Sequence, residues 1–169
     1  MAQRALRAVP SSSEISQVRV RVQALDLKHV MARVMKEQGW SESKSYEAEA
    51  QYRAFLVVAF SNPGIRLVPS FEIDEVWHSH ILHTRDYASD CDSVFGGYLH
   101  HNPRALDDLD MALHRDQFEN MKRLLAEELH NDTYASVSIR FESMAICDGG
   151  AYCDGDITQD VRRGSDCSV

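Results

Sequence analysis

Apolar residues recur at helical spacing through most of the chain, which predicts a mainly α fold. Leu27, Val30, Met31, Val34 and Met35 mark one stripe, with Asp26 as its expected N-cap and Gly39 as its end. A second helix is expected from near Ser43 through Tyr46, Ala50, Ala54 and Val57 to Phe60. Its last turns are apolar all round, as in a central, buried element. Asn62, Pro63 and Gly64 stop it, and Ile65 to Val68 reads as a short extended connector.

A third helix opens at Ser70, with Glu72, Asp74 and Glu75 where carboxylates favour a helix N-terminus, and runs to Ala88 or Cys91. Its core-facing stripe is expected to be Ile73, Trp77, Ile81, Thr84, Ala88 and Cys91. Residues 104–130 read as a long amphipathic helix with Leu109, Ala112, Leu113, Met121, Leu124, Leu125 and Leu129 on its apolar face. Residues 14–25 fit two patterns. Val18, Val20 and Val22 alternate with Arg19, Arg21 and Gln23 as in a strand, yet the segment fits equally well as the start of a single long helix that runs from Glu14 into the next stripe.

Beyond Asn131 the pattern changes. Residues 137–141 alternate like a strand, and after Cys147 the chain is rich in Gly, Asp and Cys with little to bury. The expected architecture is a compact core of about four helices with a short extended segment and an irregular C-terminal tail. Residues 1–13 would be a lead-in, 14–131 the helical domain and 132–169 an appendage.

Composition narrows the class. A chain of 169 residues is enough for one domain with a real core, and its 44% hydrophobic and 26% charged residues exclude global disorder. The formal net charge of −8 argues against nonspecific binding to nucleic acid or to anionic membrane. No apolar run approaches the roughly 20 residues of a membrane span. Arg4 and Arg7 are not followed by the apolar run of a secretory leader, so a cytoplasmic protein is expected, its thiols reduced or ligating.

Five of the eight histidines, His78, His80, His83, His100 and His101, fall in one stretch that also holds Cys91. Imidazole and thiolate are favoured ligands of zinc and several redox metals. The stretch therefore points to a divalent-metal site, zinc or iron(II), with His78, His80, His100, His101 and Cys91 as candidate ligands. Asp74 and Tyr87 are the candidate acid/base groups.

Helix geometry limits this set. In a regular helix His78 and His80 lie roughly 200° apart and cannot hold one ion. Either the helix begins late and leaves them extended, or one flank alone ligates (His80 with His83 at i,i+3, or Asp74 with His78 at i,i+4), or Asp74 orients His78 from behind. His83 is the weakest candidate, and Trp77 reads as a core anchor. Cys147, Cys153 and Cys167 match no zinc-ribbon spacing; a tail without chemistry, a disulfide, a redox pair and a contribution to the metal site all stay open.

Asp74, Trp77, His78 and His80, followed by Thr84, Tyr87, Cys91, Gly96, His100, His101 and Pro103, resemble the glycine-rich domain-containing proteins of plants, and still more their short bacterial relatives. The resemblance covers chiefly residues 20–130 and centres on the Trp-His-x-His core. It implies no particular reaction. His83 stands where that family commonly carries an apolar residue, and the Gly- and Cys-rich C-terminus is abbreviated here.

Three functions fit these residues. One is a small metalloenzyme acting on a small-molecule or peptide substrate by zinc-type hydrolysis or non-haem iron oxidation. Another is a structural-metal module without catalysis. The last is a metal-free histidine network around a small-molecule pocket.

Overall fold

The computed structural model describes residues 8–104, 111–130, 143–144, 146–147 and 151–158. It is mainly helical, with six helices among the described residues: α1 (Ser12–Gln23), α2 (Lys28–Gln38), α3 (Glu42–Ser61), α4 (Phe71–Leu82), α5 (Thr84–Phe95) and α6 (Met111–His130). Three strands, β1 (Tyr98–Arg104), β2 (Ile146–Cys147) and β3 (Ala151–Thr158), form an antiparallel sheet in the order β1-β3-β2.

The valines of α1 show why alternation misleads. A strand would put Val18, Val20 and Val22 on one face, whereas Val18 and Val22, four apart, are buried and Val20 is exposed. A capping box decides the matter locally: Ser11 Oγ accepts the Glu14 amide, and Glu14 accepts the Ser11 amide at 2.7 Å. Nor do α1 and α2 merge into one long helix. The chain turns between them, and the Arg53 guanidinium from α3 donates to the carbonyls of Val22, Gln23 and Leu25 while pairing with Glu49. Asp26 supports the start of α2 by accepting the Lys28 amide, although Leu27 holds the cap position.

Helix α3 is central, as its all-round apolarity predicts: every residue from Ala50 to Phe60 is buried. Ser41 caps its start, and Gly64, at φ +87°, turns the chain beyond its end. Helices α1, α2, α4 and α6 pack against α3, α4 also meets α2, and α5 packs on α1, α4 and β1.

The third expected helix is broken. Ser70 caps α4 as anticipated, but α4 stops at Leu82 and His83, with ψ +61°, separates it from α5. The break rotates the buried stripe. Ile73, Trp77 and Cys91 keep their core positions, while Tyr87, Val94 and Phe95 replace Thr84 and Ala88, which are exposed. Gly96, at φ +64°, ends α5 and releases the chain into β1.

On β1 the two faces differ. Leu99 is fully buried and His101 nearly so, while Tyr98 and His100 lie on the other face with their rings 4.8 Å apart. Residues 104 and 111 belong to different elements, so the expected single helix over 104–130 is shortened to α6. Its buried face is His114, Phe118, Met121, Leu125 and Leu129, and Leu113 is exposed instead.

In the C-terminal segment, expected to be irregular, residues 146–147 and 151–158 are strands. The register of β3 against β1 pairs Gly155 with His101. The start of the lead-in, Leu109, the 137–141 segment and Cys167 lie outside the described residues.

Candidate metal centre

Asp74 and His78 stand one helical turn apart on α4 and therefore on one face. His101 reaches the same place from β1. Asp74 is 2% exposed, and its two oxygens face the two imidazoles: Oδ1 is 2.9 Å from His101 Nε2 and Oδ2 is 3.5 Å from His78 Nδ1. The rings of His78 and His101 lie 4.4 Å apart, tilted by 50°, and the Trp77 ring meets His101 edge-on at 4.6 Å.

One ligand atom from each of these three residues lies within 4.8 Å of the others, and this is the one such group among the described residues. Two ligands about 2.1 Å from a shared ion sit roughly 3.0 Å apart at a right angle and roughly 3.4 Å apart at the tetrahedral angle. The two carboxylate–imidazole contacts are of that size, though made by different oxygens, and with one ligand atom from each residue within 4.8 Å of the others Asp74, His78 and His101 could hold a metal ion. Burial also favours a cation here, because a carboxylate taken out of water needs a compensating positive charge. With His78 37% exposed, the group opens to solvent on that side.

The other expected ligands are elsewhere. His80 lies on the opposite flank of α4, as the helical angle requires. Its Nδ1 meets the Tyr52 hydroxyl at 2.9 Å, and its Nε2 meets Asp90 Oδ2 at 3.1 Å. The tautomer that satisfies both partners carries its proton on Nε2, donating to Asp90 and accepting from Tyr52. Burial, helped by the neighbouring His83, pushes the His80 pKa down to about 4 against the partial support of Asp86. Burial raises the Tyr52 and Asp90 pKa values as well. His80 is a satisfied core residue.

Cys91 is buried against Tyr87 and the Leu99 backbone, and burial raises its thiol pKa, so it is neither an exposed thiolate nor a neighbour of the three-residue group. His100 is on the far face of β1. His83 Nδ1 meets the Ser79 carbonyl at 2.8 Å, a local contact at the helix break.

Tyr87 is not presented as a proton donor to this group. Its hydroxyl accepts from Trp77 Nε1 at 2.8 Å and donates to the Leu99 carbonyl at 2.5 Å, and burial pushes its pKa far above the ordinary range. Asp74, expected as an acid/base group or as the orienting partner of His78, is the centre of the cluster. The i,i+4 spacing of Asp74 and His78 was visible in the sequence. The choice of His101 over His100 depended on the register of β1. Of the histidines outside this stretch, His29 and His130 are exposed and His114 is buried.

Residues 20–134 match the UCP032817-like family, and the chain belongs to it. Over 60 residues the chain is 40% identical to glycine-rich domain-containing protein 2 of Arabidopsis thaliana. That match covers 33% of this chain and 8% of the plant protein, so the similarity concerns a small part of a much longer relative. No solved structure matches.

Proposed function

We propose that this protein is a small metal-dependent enzyme in which Asp74, His78 and His101 hold one divalent cation, zinc or iron(II). The observation that carries the reading is the ligand count. A structural zinc site closes with four protein ligands, whereas a catalytic site keeps a position open. The described residues supply one carboxylate and two imidazoles, a set also used by non-haem iron sites with open positions. Bound there, the cation would activate water or polarise a substrate oxygen.

The chain's own groups would then divide the work. Asp74 neutralises charge and fixes both rings, His101 anchors the site to the sheet, and half-exposed His78 borders the approach from solvent. A small-molecule or peptide substrate would enter on that side.

Elemental analysis of protein purified without a histidine tag tests this directly. One equivalent of zinc or iron is expected in the wild type, and none in His101→Ala. Stoichiometric metal retained by His101→Ala would discard the ligand set. Chelation separates the enzyme from a structural-metal module. Removing the ion from an open site on a preformed helical core should lower the melting temperature little, whereas loss of a structural site should unfold the protein.

A further inference from the structure

Beyond the contacts of His101 itself, a hydroxyl bridges the two elements that supply the ligands. Tyr87 lies on α5 and contributes no ligand, yet its oxygen accepts the Trp77 indole N–H at 2.8 Å and donates to the Leu99 carbonyl at 2.5 Å. Trp77 precedes His78 on α4 and lies three residues after Asp74, while Leu99 stands two residues before His101 on the same face of β1. The indole that the hydroxyl holds also packs edge-on against the His101 ring. With one acceptor contact to α4 and one donor contact to β1, the hydroxyl fixes the offset between helix and strand. That offset sets the distance from Asp74 to His101.

We propose that Tyr87 is a positioning residue for the metal centre, holding β1 against α4 so that His101 meets Asp74 and His78 around one ion. The inference rests on the ligand set above. The bridge is deeply placed: Trp77 and Tyr87 are at most 1% exposed, and so is Leu99. Water therefore has no ready access to replace the lost hydroxyl. Partners that orient ligands from outside the coordination sphere typically change metal affinity by roughly 10–100-fold.

Tyr52 supplies the control. It is an equally buried tyrosine whose hydroxyl also makes a side-chain hydrogen bond, but to His80 on the non-ligating flank. Zinc affinity is measured by competition with a chromophoric chelator, well below the unfolding temperature, for the wild type, Tyr87→Phe and Tyr52→Phe. Cobalt absorption spectra report the ligand geometry in each. Tyr87→Phe should bind zinc roughly 10–100-fold more weakly and shift the cobalt bands, while Tyr52→Phe stays within about twofold of wild type.

Wild-type affinity in Tyr87→Phe overturns the positioning role while leaving the ligand set intact. Equal losses in both variants also overturn it, because they indicate general softening of the core. A wild type that binds no zinc, cobalt or iron removes the metal centre and this role together. Should Tyr87→Phe fail to fold, Trp77→Phe cuts the same bridge at its other end, and unchanged affinity in that variant is equally decisive against the proposal.

Discussion

The two flanks of α4 carry the same kind of side chain to opposite ends. On one, His78 is half-buried, faces a buried carboxylate and meets a second imidazole from β1. On the other, His80 is sealed between Tyr52 and Asp90 with each ring nitrogen already engaged. A histidine can bind a metal only if one nitrogen is unprotonated and has room for an ion, with further donors converging on the same point. Convergence is met at His78 and missing at His80.

The largest expected effect crosses the two flanks. His78→Ala should abolish tight metal binding while costing under about 1 kcal/mol of stability, because a half-exposed ring is removed. His80→Ala should keep the metal and lose about 2–4 kcal/mol, since it leaves a cavity with the Tyr52 hydroxyl and Asp90 without their partner. Metal analysis and denaturant unfolding of the two variants check both halves. If His80→Ala loses the ion and His78→Ala keeps it, the assignment of the flanks is reversed.

Acid should expose the same difference. The His80 pKa is about 4 in the folded protein against 6.5 for the unperturbed ring. As pH falls below 6.5 the unfolded chain gains a proton at this position that the folded protein takes up only near 4. The contribution of neutral His80 is therefore complete above pH 6.5 and is lost across the window down to 4, roughly 3 kcal/mol in all. Melting curves recorded with a chelator present, so that metal binding does not enter, should show this slope in the wild type and a flatter one in His80→Gln. Parallel slopes would mean that other groups control acid stability.

The smallest expected effect is at the junction. His83→Ala removes one local contact to the Ser79 carbonyl at a half-buried position, so stability should change by about 0.5–1 kcal/mol with metal content unaltered. A larger loss would show that the side chain, and not the packing of Tyr87 and Cys91, holds the break.

Much of this comparison could be read before folding was considered. The i,i+4 pair Asp74 and His78, the 200° separation of His78 from His80, the Ser70 cap and the buried character of α3 follow from local geometry and side-chain chemistry. Each depends on residues within a few turns of one another. The strand-like valines of α1 were ambiguous because residues four apart share a face in a strand and in a helix; the Ser11–Glu14 capping box starts the helix, and Val18 and Val22 are buried while Val20 is exposed.

The sequence by itself determined that the protein is mainly helical, that imidazoles crowd one short stretch, and that His78 and His80 cannot serve one ion if they lie in a regular helix. Tertiary structure decided which flank meets further donors, where the helix breaks, and that His101 rather than His100 faces Asp74 and His78. Those outcomes turn on the register of β1 and on which side of α4 the strand returns, set by contacts between residues far apart in the chain.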